Sequence, residues 1–176
     1  MNRGLFASVL LAAALSGCAA TAHRHNAPLA ETGHATFAAL EEAVAALRRD
    51  PDTDWATVDV DGLRAHLLDM DHVTLRARVV SEDLPNGARY RVTGDGDVVG
   101  AIQRMAVAHA GMVNSDAEWF VDVESIATGA LVTVRAASDQ DAEMVRALGF
   151  FGFLTLGAHH QAHHWAMVSG ADPHSH

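Results

Sequence analysis

The apolar positions of this chain change period several times, and each change marks an element. From Thr36 onward, Phe37, Leu40, Val44 and Leu47 recur at helical spacing as far as Arg49. Glu41 and Glu42 come early and Arg48 and Arg49 late, as the helix macrodipole favours, and Asp50-Pro51 ends the run. Asp59 caps a second helix over about Val60–Met70, with Leu63, Leu67 and Met70 on one side and His66 beside them. The period then drops to two. Val73, Leu75, Ala77 and Val79 alternate with Thr74, Arg76 and Arg78, Leu84-Pro85-Asn86-Gly87 supplies turn chemistry, and Tyr90 and Val92 carry the returning strand. A helix over about Asp97–Met112 follows, with Ile102, Met105, Val107 and His109 interleaved with alanine.

The arrangement then repeats. Trp119, Val121 and Val123 alternate, Ala127-Thr128-Gly129-Ala130 turns, Leu131, Val132 and Val134 return, and Ser138-Asp139 caps a helix holding Met144, Val145 and Leu148. Gly87 matches Gly129 and Ile102 matches Val145, an offset of 42 to 43 residues, so two degenerate units are expected at about 73–113 and 118–156. The fold class that follows is α+β: two ββα repeats forming one four-stranded antiparallel sheet with helices on one face, preceded by a helical pair that covers an edge or extends the helical layer. The last repeat helix runs on, or restarts after Gly149, Gly152 or Gly157. Its apolar stretch, Phe150, Phe151, Phe153, Leu154 and Leu156, is too short to span a bilayer and is expected against the sheet.

The first 17 residues have a different character: Arg3, an apolar run from Leu5 to Leu15, then small residues before Cys18. This is the pattern of a secretory signal and is set apart from the fold. Leu15-Ser16-Gly17-Cys18 resembles the lipobox of bacterial lipoproteins. The resemblance covers the leader alone. It implies cleavage before Cys18, a covalent lipid on that cysteine and anchorage to the bilayer of the cell envelope. Ala19, standing where Asp would retain the protein at the inner membrane, implies the outer membrane facing the periplasm. Residues 18–35 are then a lipidated tether, 36–170 a single domain and 171–176 a flexible tail. The tether holds His23, His25 and His34, and the tail His174 and His176, all expected in solvent. Cys18 is the only cysteine, so no disulfide braces the domain even in an oxidising compartment.

Charge removes several function classes. The formal net charge is −10 and all 12 basic residues are arginine, which disfavours nucleic acid and anionic lipid headgroups as partners. Gly94-Asp95-Gly96-Asp97 has neither the spacing nor the parallel βαβ context of a dinucleotide turn, so no nucleotide is expected. Asp50, Asp52 and Asp54 sit like the first ligands of a calcium loop, but Trp55 stands where that loop needs Gly and Asp61 where it needs Glu. An acidic turn is expected instead. No His-Glu-x-x-His, Gly-x-Ser-x-Gly or mature-domain cysteine nucleophile is present, and no catalytic residue is assigned.

What remains is imidazole and thioether. Ala158–Met167 carries His159, His160, His163 and His164 and ends on Met167. At about 100° per residue these five fall within an arc of roughly 140° on one helix face. Elsewhere His66/Met70 and Met105/His109 repeat the four-residue spacing of His163/Met167, which places both side chains of a pair above one helix face. If the three helices lie side by side, these pairs converge into a mixed nitrogen and sulfur site. Such a site suits copper, with zinc second, since structural zinc takes thiolate or carboxylate along with imidazole. The expected ligands are His159, His163, His109 and His66, with Met105, Met167, His160, His164 and Met70 as alternates, and Asp69 and Asp71 are expected to orient imidazoles. The function expected is an envelope lipoprotein that buffers, senses or hands on the metal. The alternative is a non-catalytic structural or adaptor lipoprotein, with an envelope protein as partner.

Overall fold

A computed structural model describes residues 34–115, 119–156 and 160–171. In chain order the elements are α1 (Ala35–Arg49), α2 (Val60–Arg76), β1 (Arg78–Leu84), β2 (Gly87–Thr93), α3 (Asp97–Ser115), β3 (Trp119–Ile126), β4 (Gly129–Ala136), α4 (Asp139–Phe153) and α5 (His160–Val168). The signal, lipobox, most of the tether and the tail with His174 and His176 lie outside the described residues. Among the described residues no helix is long and apolar enough to cross a membrane.

Each hairpin turns through two residues, Pro85-Asn86 and Ala127-Thr128, and the two hairpins join through β2 and β4 into an antiparallel sheet of order β1-β2-β4-β3. Tyr90 pairs with Val132 at the centre of that joint. The bonds at its ends are related by the repeat: Gly94 N donates to the Thr128 carbonyl at 2.9 Å and Ala136 N to the Asn86 carbonyl at 2.8 Å. The sheet therefore has an approximate two-fold through its middle. Gly87 and Gly129 occupy equivalent places at the start of β2 and β4, with φ of 156° and 149°. A Cβ on Gly87 would overlap the Val134 carbonyl oxygen and one on Gly129 that of Val92, so close backbone approach as well as conformation demands glycine.

One face of the sheet buries Ala88, Tyr90, Val92, Trp119, Val121, Ala130, Val132 and Val134. The strand period of two sends the neighbouring residues, among them Glu82, Arg89, Arg91, Asp122 and Glu124, to the opposite face, where Arg89 meets Glu82 at 3.2 Å. Both repeat helices cover the buried face, but crosswise: α3, which follows β2, packs mainly on β3 and β4, while α4, which follows β4, packs mainly on β2. Val98, Ala101, Ile102 and Ala106 of α3 and Ala142 and Val145 of α4 supply the apolar contacts. Ser138 Oγ accepts the Asp141 N–H at 3.2 Å and fixes the start of α4. Gly149, at φ 63°, kinks this helix. The carbonyl four residues earlier, Val145, accepts the buried Tyr90 hydroxyl at 2.8 Å.

The helical pair extends the helical layer, because α2 packs along α3, and α1 and α5 pack on α2. A second, smaller core forms there from Leu47, Leu63, Leu67 and Val168. Asp59 caps α2 by accepting the Gly62 N–H at 2.8 Å. The acidic turn before it uses Asp50 and Asp54 to accept the backbone N–H groups of Asp52 and Ala56, each at 3.0 Å, and so bends the chain.

Two expectations need correction. Residues 73–76 are the last turn of α2 and not a strand, so the first unit begins near Arg78. Val73 continues the stripe of Leu63, Leu67 and Met70 and is 1% exposed, whereas Leu75 is 78% exposed. Burying a valine gains about 1.5 kcal/mol or more, which exceeds its helix-propensity cost of less than about 1 kcal/mol, so the helical register wins. On α1 the inward stripe is Ala39, Leu40, Ala43 and Leu47, while Phe37 and Val44 face outward at 68% and 37% exposure. Of the two courses expected for the chain beyond Gly149, it takes the restart: α4 ends at Phe153 and α5 starts at His160.

Candidate metal centre

Three helices bring the imidazoles together. α5 is anchored at its end by Val168, which is fully buried against Leu47, Leu63 and Leu67. Its last turn closes with Gly170 N to the Met167 carbonyl at 3.0 Å and Ala171 N to the Ala166 carbonyl at 2.9 Å, with Gly170 at φ 86°, the pattern of a Schellman motif. Asp59 N donates to the Val168 carbonyl at 2.9 Å and Thr57 Oγ1 to the Ser169 carbonyl at 3.0 Å, which fastens this end of α5 to the turn before α2. So held, α5 turns His163 toward α2.

His66 and His163 are 9% and 8% exposed, and their ring centroids are 4.8 Å apart at an interplanar angle of 56°. His164, half-buried, stands 5.3 Å from His66 and 6.3 Å from His163. The Nε2 atoms of all three rings are buried. The rings occupy the seam between the two cores: Met105 packs on the sheet core and Met70 on the small helical core.

Two cavities meet at this seam. A chamber of about 360 Å³ is bounded by His66, Met70, Met105, His109, Met112 and His163, with Phe151, Leu154 and Thr155 on the side of α4. An open groove of about 890 Å³ lies on the other side, where Met167, Asp69 and Arg104 join the lining. His66, Met105, Ala108, Met112 and His163 belong to both and form the partition between them.

All three spaced pairs thus contribute to the walls of two adjoining cavities. Met70 and His109 line the chamber, Met167 lines the groove, and the other members line both. His159 lies outside the described residues, and so does the side chain of His160. Met112 was missed by sequence reasoning, although its positions relative to Met105 and His109, seven and three residues on, place it on the same helix face. His72 carries a buried Nδ1 with no hydrogen-bond partner among the described residues, but it lines neither cavity.

His109, 3% exposed, has a distinct task. Its Nε2 lies 2.9 Å from the carbonyl of Phe153, which can only accept, so Nε2 carries a proton. The bond satisfies a carbonyl at the end of α4, and the Phe153 ring meets the imidazole edge-on at a centroid distance of 4.7 Å. Coordination through His109 would have to use Nδ1.

Asp69 and Asp71 do not orient imidazoles as expected. Asp69 takes a two-pronged bond from Arg104 at 2.7 and 2.8 Å, tying α2 to α3, and Asp71 accepts the Thr36 hydroxyl at 3.0 Å, tying α2 to α1. The hydrogen bond to Asp69, with coulombic help from Asp69 and Asp97 against partial burial, raises the Arg104 pKa above its ordinary value. Among the described residues no three His, Cys, Asp or Glu side chains are placed to hold one ion, so any ion at the seam would rely on a histidine pair and thioether sulfur. No family model, curated protein or solved structure matches the chain.

Proposed function

We propose that the domain binds a single Cu(I) ion at the seam, held by His66 and His163 with a thioether from Met105 or Met112, and that it buffers or hands on copper in the cell envelope. The observation that carries this is the pair of buried imidazoles 4.8 Å apart in a partition they share with two methionines. Thioether donors select Cu(I), and imidazole accommodates it. Zinc fits less well, because a structural zinc takes four tetrahedral ligands including thiolate or carboxylate. The sole cysteine is Cys18, at the start of the tether, and the carboxylate nearest in sequence to His66 and Met70 on the lining, Asp69, is held by Arg104. The groove gives the seam a route to solvent. Anchorage through a lipid on Cys18 rests on the lipobox-like leader and completes the picture of an outer-membrane lipoprotein facing the periplasm.

The test is competitive titration of the purified chain with Cu(I), Cu(II) and zinc, beside the His66→Ala/His163→Ala double variant and a Met105→Leu/Met112→Leu variant. One tight Cu(I) equivalent is expected, weakened at least ~100-fold in the histidine variant and less in the methionine variant. Since the metal requires neutral imidazole, binding should fade toward about pH 5. Equal, micromolar-or-weaker uptake by the parent and the histidine variant would remove the copper assignment and leave an adaptor without a metal.

A further inference from the structure

The chamber behind the histidine partition has a character of its own. Among the described residues that bound its 360 Å³ none is Arg, Asp or Glu, in contrast to the groove, where Asp69 and Arg104 stand on the wall. Its two hydroxyls are directed at the backbone: Thr74 Oγ1 donates to the Met70 carbonyl at 2.8 Å and Thr155 Oγ1 to that of Gly152 at 2.7 Å. Among the described side chains, polarity inside is thus confined to the imidazoles. The rest is thioether, aromatic and aliphatic surface from Met70, Val73, Met112, Phe151 and Leu154.

A space lined in this way holds water poorly, because a buried water needs two or more polar partners. An organic anion placed there would find no arginine among the described lining residues to compensate its charge. Thr74, Phe151 and Thr155 are exposed while Val73 and Leu154 are buried, so the chamber has a mouth between α2 and the end of α4 and a closed floor. The unbranched methionine side chains can adjust to the shape of an occupant. The volume is a little over twice the ~150 Å³ of a cavity that takes benzene, which allows roughly fifteen non-hydrogen atoms.

We infer that this chamber binds an uncharged, largely apolar small molecule, aryl or short alkyl in body, with one hydrogen-bonding group turned toward His66 and His163. The site fits the usual pattern of small-molecule pockets, mainly apolar with a few polar groups that set orientation. It does not depend on the copper assignment.

The experiment uses the purified chain freed of metal by chelation, with the uncharged aryl amine 1-naphthylamine, small enough for this volume, as probe. Binding is followed by fluorescence and calorimetry. One probe per chain is expected, with a dissociation constant of about micromolar order. The anionic relative 4-amino-1-naphthalenesulfonate, which also fits the volume, should bind at least ~tenfold more weakly, since the described lining offers its charge no arginine. Ala108→Leu, which adds bulk from α3 where the chamber adjoins the groove, and Thr74→Trp, which narrows the mouth from an exposed position, should each weaken the probe at least ~tenfold while Thr74→Trp leaves the melting temperature unchanged. If Ala108→Leu fails to fold, Thr74→Trp decides. Absence of saturable one-to-one binding, equal affinity for the sulfonate, or undiminished binding by Thr74→Trp would overturn the inference. Copper titration of the same samples is a separate readout, so loss of one site is distinguishable from loss of the other.

Discussion

Tyr90 offers the most direct physical test of the fold, because the sequence isolates it. It is the only tyrosine, and the chain has no lysine, so between the thiol and arginine ranges its phenol titrates almost alone among side chains. The ring sits at the centre of the sheet, 1% exposed, and its hydroxyl donates to the Val145 carbonyl at 2.8 Å. Burial, with a smaller contribution from the Asp83 carboxylate, pushes its pKa from 10.0 to about 12. The native state therefore holds the proton more tightly than the unfolded chain, and above pH 10 the unfolded chain binds fewer protons, so stability falls as pH rises. The contribution is intact below pH 10 and is lost as pH climbs through about 12. A shift of this size corresponds to roughly 2–3 kcal/mol over that interval. Tyr90→Phe keeps the ring, removes the phenol and leaves a buried carbonyl short of a donor, at a cost of about 1–2 kcal/mol near neutrality. Urea unfolding at stepped pH, with tyrosinate absorbance recorded on the folded protein, should show the parent losing stability above pH 10 and the variant lacking that component of the decline. Tyrosinate forming near pH 10 in the folded protein, or an equally steep decline in the variant, would refute the placement of this hydroxyl.

Other consequences follow from single contacts. Gly87→Ala and Gly129→Ala should each destabilise by more than about 2 kcal/mol in chemical denaturation, because each new Cβ meets a carbonyl of the central strand pair and neither strand can retreat. His109→Ala should cost about 1–3 kcal/mol by releasing the Phe153 carbonyl, yet leave Cu(I) affinity within about tenfold; a larger loss of copper would make His109 a ligand. Asp69→Asn should change stability by less than about 1 kcal/mol, since the Arg104 side chain is 65% exposed, and a greater change in melting would show that this ion pair governs the packing of α2 on α3.

The repeat was legible because it is written in two periods at once. Alternation in Tyr90-Val92 and Val121-Val123, two-residue turns before Gly87 and Gly129, and helical spacing after Asp97 and Asp139 agree with one another, and sheet and layer follow from that agreement. The start of the first unit was not legible, since Val73-Thr-Leu-Arg satisfies either period and only burial of Val73 against the helical layer decides it. The same limit affected the site. Spacing announced the pairs His66/Met70, Met105/His109 and His163/Met167, but not that His109 would spend its Nε2 on a backbone carbonyl or that Asp69 would be claimed by Arg104. Those outcomes depend on which helix end or guanidinium arrives nearby, and one-dimensional spacing has no record of it. The chamber was equally invisible, because its emptiness arises from where Ala108 and Phe151 leave a gap between elements.

The crosswise packing of α3 and α4 has a consequence for how the two halves depend on each other. Each repeat helix rests chiefly on strands of the other half, so neither half alone would keep its apolar sheet face covered. Carrying both halves in one chain makes this mutual shelter independent of concentration. The halves are free to differ where the sheet does not constrain them: α3 lends methionine and histidine to the chamber and the end of α4 lends phenylalanine and leucine, so an asymmetric recess lies beside a nearly symmetric sheet.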